Sequence, residues 1–331
     1  MADKVRLASI GLGWWGGMLA EKALESGEAE IVTGFARTES TRNEFAEKFG
    51  CRTAGSLDEL LGDDEVEGVL VATPHSTHLD IIEQAAGAGK HVFVEKPLTL
   101  SVSEARQAVD AAAKAGVTLQ VGHHRRRQPA TRQLRRLIDD GALGQISLLE
   151  ANLSLKSGLN PKEGWRSDPN ESPLGGMTGL GVHMADNLIY LGGPAQRVTV
   201  LSKQTLARSP LDDVTVIAVE LASGALGYLG TSTVVPKVCT TAVYGSEGSA
   251  WSEEEGEKLF RQGIDDANRD EVDIDGPDAL ADQLGAFARS TRSGDRPEVD
   301  GEQGLEVVAL LEAAIHSHER GQVVEVDELR G

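Results

Sequence analysis

Five short apolar runs mark the first 122 residues, at 5–10, 30–36, 68–72, 91–95 and 117–121. Each is five to seven residues long, the length of a strand rather than a helix. The run Gly68-Val69-Leu70-Val71-Ala72 has no polar break, as expected of a strand buried on both faces of a parallel sheet. Helix-compatible stretches separate the runs, at about 14–26, 41–49, 77–88 and 102–116. Phe45 and Phe49 fall four apart on one face of the second stretch. Ser56-Leu57-Asp58-Glu59 and Ser101-Val102-Ser103-Glu104 each place a serine three residues ahead of a glutamate, the capping-box pattern that opens a helix. Strands alternating with helices predict a parallel sheet wound by right-handed crossovers.

After Gly122 the pattern changes. A basic helix is predicted near 130–139, ended by the turn Asp140-Gly141. Strand-like stretches follow at 146–155, 197–206, 214–221, 225–235 and 238–244, most of them bounded by Gly, Ser, Pro or Asp. Consecutive strands predict a mostly antiparallel sheet, and two late helices, 278–293 and 301–320, are expected to pack on it. The fold class is therefore α/β. A doubly wound Rossmann domain with a parallel sheet is expected over residues 1–122. An α+β domain with a mostly antiparallel open sheet is expected over residues 123–331. The acidic, glycine-containing stretch 252–275 reads as exposed and mobile.

Charge narrows the class of partner. The 331 residues carry a net charge of −20, which argues against nucleic acid. The distribution is uneven: −8 over residues 1–122, +3 over 123–244 and −15 over 245–331. The acidic tail reads as a solvated surface. The basic middle segment stays open between a plain surface and one that faces an anion, either cofactor phosphates or a carboxylated substrate. No stretch approaches the ~20 apolar residues that cross a bilayer. No apolar signal core precedes the first run, so the expected location is cytoplasmic, with no membrane partner. Cys51 and Cys239 lack metal-like spacing and read as ordinary thiols.

The segment Ala8-Ser9-Ile10-Gly11-Leu12-Gly13-Trp14-Trp15-Gly16 carries the first chemical signal. It is a Gly-x-Gly-x-x-Gly turn between a strand and a helix. In that setting Gly11 permits the tight turn, Gly13 lets the backbone approach a pyrophosphate, and Gly16 lets helix and strand pack closely. The helix N-terminus adds free N–H groups and a partial positive charge. Three glycines alone are compatible with a plain strand–turn–helix. With this strand and this helix they predict a dinucleotide held by Gly11, Gly13, Trp14, Trp15 and Gly16. The second strand runs out at Arg37-Thr38. An acidic residue there would bind ribose hydroxyls and favour NAD. A guanidinium and a hydroxyl suit a 2′-phosphate, so NADP is favoured over NAD, although an arginine stacked on adenine is compatible with either.

Three more signatures complete a constellation: Thr73-Pro74-His75-Ser76-Thr77-His78, Glu95-Lys96-Pro97, and Gly175-Gly176-Met177-Thr178-Gly179-Leu180-Gly181-Val182-His183. With the glycine turn, at these spacings, they make the chain resemble the Gfo/Idh/MocA family of NAD(P)-dependent oxidoreductases, from about residue 5 to the C-terminal helices. The resemblance implies that Lys96 stands beside the reacting carbon, with Pro97 often cis. It implies that His183 binds or deprotonates the substrate hydroxyl. An ammonium can hydrogen-bond that hydroxyl, help move its proton and stabilise a developing alkoxide. An imidazole has the unperturbed pKa nearest neutrality. The resemblance also places Thr73, Pro74, His78, Glu95 and Lys96 along the cofactor and brings Trp165-Arg166 back to it. It assigns His124 and Arg126, after the run at 117–121, to the substrate. Taken singly, each residue has a plainer reading, such as a surface lysine, a helix-start histidine or a loop tryptophan. The pair His123-His124 invites zinc, but no cysteine or carboxylate stands at ligand spacing, so no metal is expected. His75, His316 and His318 read as surface or structural residues.

One position departs from the family pattern. The family carries an aspartate four residues before the histidine, and here that position is Gly179. Asp186 lies around the following helix and is not read as its replacement. Three explanations stand: Lys96 and His183 suffice, another segment supplies the carboxylate, or dehydrogenase chemistry is lost. The first two are favoured. The resemblance then implies hydride transfer between a nicotinamide and a secondary hydroxyl or ketone of a sugar, inositol or related polyhydroxylated compound, including carboxylated ones. The alternatives are an NAD-dependent hydrolase of glycosidic bonds and a non-catalytic nucleotide-binding protein. A homodimer or homotetramer built through the C-terminal sheet is also implied.

Overall fold

The computed structural model describes residues 4–161 and 163–330. In chain order the early elements are β1 Val5–Ile10, α1 Trp14–Glu25, β2 Ala29–Phe35, α2 Glu39–Phe49, β3 Arg52–Thr53, α3 Leu57–Leu61, β4 Gly68–Val71, α4 His78–Gly87, β5 His91–Val94, α5 Val102–Ala115 and β6 Leu119–Val121. Then come α6 Pro129–Asp139, β7 Ile146–Ser154, α7 Val182–Gly192, β8 Ala195–Lys203, β9 Val214–Leu221, β10 Leu226–Ser232, β11 Val238–Gly245, β12 Gly248–Glu253, β13 Lys258–Gly263 and β14 Asp270–Val272. The chain closes with α8 Ala279–Ser293, α9 Gly301–Arg320, β15 Val324–Glu325 and α10 Asp327–Arg330. Two compact units result. The first is the chain up to His124 together with Pro277–Leu305, and the second is Arg125–Gly276 together with the chain from Glu306 onward.

The first unit holds a six-stranded sheet in the order β3-β2-β1-β4-β5-β6, parallel at every pairing. All four residues of β4 are buried, as its unbroken apolar run requires. Both serines cap their helices. Ser56 Oγ accepts from Glu59 N at 3.1 Å and Ser101 Oγ accepts from Glu104 N at 3.3 Å, closing a first turn that would otherwise leave donors unsatisfied. Glycines in the left-handed region, Gly50 and Gly116, end α2 and α5.

Helix α8 departs from the sequence reading, which placed it on the antiparallel sheet within a 123–331 domain. It folds onto the Rossmann unit instead. Leu284, Phe287 and Ala288 join Val5, Leu7, Leu19 and Phe93 in one core cluster, with the Phe93 and Phe287 rings 5.8 Å apart. Local pattern shows that a helix has an apolar face but not which sheet will cover it.

The second unit is a nine-stranded sheet in the order β14-β13-β12-β11-β7-β10-β9-β8-β15. β7 and β10 run parallel, and the other pairings are antiparallel. In α9, Val307, Leu310 and Ala314 are buried, and Ser317 Oγ accepts from Val200 N of β8 at 3.2 Å. The stretch 252–275, read as mobile, instead contains β13 and β14. Leu259 is buried and pairs with Ser252 and Val272. Its charges are spent across strands: Arg269 binds Glu253 at 2.6 Å and lies 4.1 Å over the Phe260 ring. An acidic composition concealed a strand whose polar residues face outward. No described helix is long and apolar enough to cross a membrane.

Candidate functional site

The site is built first at the carboxyl ends of the Rossmann strands. A ladder of backbone bonds ties those ends together: Ala72 N donates to Ile10 O at 2.9 Å, Glu95 N to Val71 O at 2.9 Å, and Gly122 N to Val94 O at 2.8 Å. The loops that leave β1, β4, β5 and β6 are therefore neighbours by construction, which is where ligands bind in open α/β sheets.

The glycine turn has the geometry a dinucleotide needs. Gly11 has φ +89°, and a Cβ there would meet Ala72 O at 2.6 Å. A Cβ on Gly16 would lie 2.0 Å from Gly11 O, so only glycine lets α1 approach β1 this closely. Gly13, the N-cap of α1, has open space around its Cβ position. Helix α1 has neither a side-chain cap nor an acidic residue in its first turn. Its donors are left for an anion, and the residues present fit a pyrophosphate. Trp14 is 76% exposed and Trp15 is half-buried, with their rings 5.4 Å apart. Trp15 lies 6.1 Å from the ring of His124, which follows β6.

Arg37 and Thr38 are exposed at the end of β2, and the Thr38 side chain makes no capping bond to α2. A second guanidinium stands with them, one that sequence reasoning missed. Arg42 Nη1 donates to Ala36 O at 2.7 Å and to Arg37 O at 3.2 Å. The signal was available, because Arg42 sits in the first turn of a helix that begins right after Thr38.

The next two loops carry Thr73, Pro74 and His78 after β4, and Glu95, Lys96 and Pro97 after β5. Thr73 Oγ1 accepts from Thr77 Oγ1 at 2.8 Å, which closes the first loop on itself. Glu95 is buried beside Gly122, where a Cβ would meet its Oε1 at 2.7 Å. Lys96 is half-buried, and its peptide bond to Pro97 is cis. His78 has no exposed surface to offer a cofactor. Its ring nitrogens lie against the carbonyls of Pro97, Leu98 and Thr73. The placement along the cofactor expected for it is thus replaced by contact with the loops themselves. His75 is buried with its ring 5.8 Å from that of His78, a structural rather than a surface position.

In the second unit the Gly175–His183 segment is a tight turn onto the sheet. Gly175 has φ +56°, with Asp212 O 1.9 Å from a Cβ position there. A Cβ on Gly181 would strike the Met177 sulfur at 2.1 Å and Thr231 Oγ1 at 2.7 Å. A five-residue π-helical turn, Met177–Gly181, then feeds α7, whose second residue is the buried His183. At Gly179 nothing lies within 4 Å of a Cβ position, so the place of the family aspartate is open.

Arg126, expected to meet substrate, is 2% exposed and forms a bidentate pair with Asp186 of α7. Its Nε donates to Oδ2 at 3.1 Å and its Nη2 to Oδ1 at 2.5 Å. The guanidinium also lies 4.9 Å over the Tyr190 ring. A buried carboxylate demands such a partner, and the requirement follows from burial, which the local sequence does not reveal. Arg166 is exposed and stacks 4.1 Å over its neighbour Trp165. Among the described residues no group of three or more His, Cys, Asp or Glu could hold a metal.

Comparison with known proteins bears directly on this arrangement. Residues 5–123 match the model of the oxidoreductase family with an NAD-binding Rossmann fold, and residues 131–251 match the GFO/IDH/MocA C-terminal domain. The chain is 27% identical over 317 residues to 1,5-anhydro-D-fructose reductase of Ensifer adhaerens, covering 92% of this chain and 93% of that one. It is 28% identical over 319 residues to D-xylose 1-dehydrogenase (NADP(+)) 2 of Haloferax volcanii, covering 92% and 94%. A crystal structure from Desulfitobacterium hafniense, of a protein assigned there as an NADPH-dependent oxidoreductase, superposes with a TM-score of 0.95 at 31% identity over the full length of both chains. By sequence, by fold and by the constellation at its strand ends, the chain belongs to the Gfo/Idh/MocA family of NAD(P)-dependent oxidoreductases.

Proposed function

We propose that this enzyme interconverts a secondary hydroxyl and a ketone on a sugar, inositol or related polyhydroxylated small molecule, with NADP(H) as coenzyme. The observation that carries the reading is the position of Lys96. It follows β5, beside the loop that follows β4, in the same unit as the uncapped glycine turn. When bound, the nicotinamide supplies or accepts the hydride. The chain's own residues do the rest. Gly11, Gly13, Gly16 and the α1 N-terminus hold the pyrophosphate. Trp14, Trp15, Thr73, Pro74 and the Glu95 segment line the dinucleotide. Arg37, Thr38 and Arg42 provide charge and donors for a 2′-phosphate. The Lys96 ammonium hydrogen-bonds the substrate oxygen and offsets the charge that builds on it. His183 exchanges the hydroxyl proton, and His124 contacts the substrate.

The substrate class is supported by the relatives, named for reduction of an anhydrofructose and oxidation of xylose. The oligomer is part of the proposal: the outer face of the nine-stranded sheet meets a second copy. Lys96→Ala tests the central assignment. Turnover across a panel of polyols and sugars falls by about 10²–10⁴-fold, while NADPH affinity, read by Trp14 and Trp15 fluorescence, stays within a few-fold. Turnover retained in this variant removes Lys96 from the mechanism.

A further inference from the structure

His78 stands at the first position of α4 with no exposed surface, and its ring lies between the two loops that carry the proposed chemistry. On one side Nδ1 is 3.0 Å from Pro97 O and 3.2 Å from Leu98 O. On the other, Nε2 is 3.3 Å from Thr73 O. A carbonyl can only accept, so each approach is a hydrogen bond when the facing nitrogen carries the proton. The Nδ1 contacts are the shorter ones, and they fall on the two residues that follow Lys96. The Nε2 contact falls on the loop at the other strand end.

The surroundings make this a fixed point. Thr77 Oγ1 donates to Thr73 Oγ1 at 2.8 Å and to Pro74 O at 2.7 Å, so the β4 loop is closed on itself just before His78. On the other side Leu98 is fully buried. Thr99 Oγ1 donates to Ser101 O at 2.8 Å, and Ser101 caps α5. The Lys96-Pro97-Leu98 turn thus hangs from β5 at one end and from α5 at the other. The imidazole of α4 is a side-chain tie to its middle.

We propose that His78 is a positioning residue: through Nδ1–H it holds the Pro97 and Leu98 carbonyls and thereby fixes where the Lys96 amine points. This rests on the catalytic reading of Lys96 given above. Its effect is an orientation effect, and displacement of a reacting group by about 1 Å costs about 10²-fold in rate.

Two amide replacements separate the two sides of the ring. In His78→Asn the side-chain amide nitrogen falls near the place of Nδ1. In His78→Gln it falls near that of Nε2. His78→Leu keeps the volume and loses both donors. The measurements are kcat, the NADPH dissociation constant and amide hydrogen exchange across residues 96–99 without coenzyme, read at Lys96, Leu98 and Thr99 because Pro97 has no amide hydrogen. We expect His78→Leu to lose about 10²-fold in kcat, to exchange faster at residues 96–99 and to keep its NADPH affinity within a few-fold. His78→Asn recovers most of kcat and the slow exchange, and His78→Gln does not. Should His78→Leu fail to fold, the Asn and Gln variants alone decide the matter. Equal kcat in those two variants, or unchanged exchange at 96–99, overturns the proposal. So does a kcat that falls only in step with NADPH affinity. Amide exchange reads the tie even in a protein whose Lys96→Ala variant still turns over, so failure of the catalytic reading and failure of this one are told apart.

Discussion

At the end of β2, the proposed preference for NADP(H) rests on three side chains. Arg37 and Thr38 are exposed, and the Arg42 guanidinium is anchored to the carbonyls of Ala36 and Arg37. A guanidinium already tied to backbone loses less freedom when it binds a phosphate, so Arg42 is the better-organised donor and Arg37 the more mobile one. Hydrogen bonds to charged groups contribute about 1.5–3 kcal/mol each, or roughly 10- to 100-fold in affinity. Arg37→Ala therefore weakens NADPH binding by about 10-fold, and Arg37→Ala with Arg42→Ala by about 100-fold or more. NADH affinity stays unchanged because it has no 2′-phosphate. Paired titrations of the two coenzymes, followed by tryptophan fluorescence, give the ratio. An equal loss for both coenzymes places the arginines on adenine rather than on phosphate.

Among the elements, α7 shows how a side chain read as a substrate ligand serves the scaffold. Asp186 has no exposed surface, and Arg126 answers its charge from the segment that precedes α6. Removing one partner of a buried pair leaves the other uncompensated, which costs about 3–5 kcal/mol, whereas replacing both with apolar groups costs far less. Arg126→Ala is thus expected to lower the urea midpoint by an amount equivalent to about 3–5 kcal/mol, and Arg126→Leu with Asp186→Leu to recover most of it. A wild-type midpoint with a raised substrate KM would return Arg126 to the substrate. The same contrast explains what was legible in the sequence. Strand ends, capping boxes and the glycine turn are written in neighbouring residues, so β1, β2, β4, β5 and β6 and the position of Gly11 could be read directly, whereas the two-residue β3 left no apolar run. The Arg126–Asp186 pair spans 60 residues and the Phe93–Phe287 contact joins distant elements, so neither has a local signature. Asp213 is a third case. It accepts from Thr205, Leu206 and Ala207 N and from the Thr205 hydroxyl. Burial pushes its carboxyl up, but those donors outweigh burial and hold it below the usual carboxylate range. In sequence it was only one of two aspartates between strands.

For the molecule as a whole, the proposed assembly rests on the outer face of the nine-stranded sheet. Across β8, β9 and β10 the register aligns Leu201 with Val216, Thr199 with Ala218 and Tyr228, and Glu220 with Arg197 and Leu226. Intervening residues such as Val198, Val200, Ile217, Val219 and Leu229 are buried on the other side. Strand alternation therefore sends Leu201, Val216, Leu226 and Tyr228 outward, and Leu201 is 82% exposed. The Arg197–Glu220 ion pair stands in the row of Leu226 and gives the patch a charged border. An apolar centre with a polar rim is the composition of a subunit interface. A standard stable interface buries about 800 Å² per partner, so the proposed face-to-face contact must extend beyond these four side chains. Sedimentation equilibrium of the wild type at micromolar concentration is expected to give a dimer or tetramer. Leu201→Glu with Leu226→Glu would bury new charges at two of the exposed apolar positions of that contact, at a cost of several kcal/mol. The variant is expected to sediment as a monomer with its NADPH affinity intact, since the glycine turn and the two arginines that follow β2 lie in the other unit. A monomeric wild type, or a variant that keeps the wild-type mass, rules this face out as the interface.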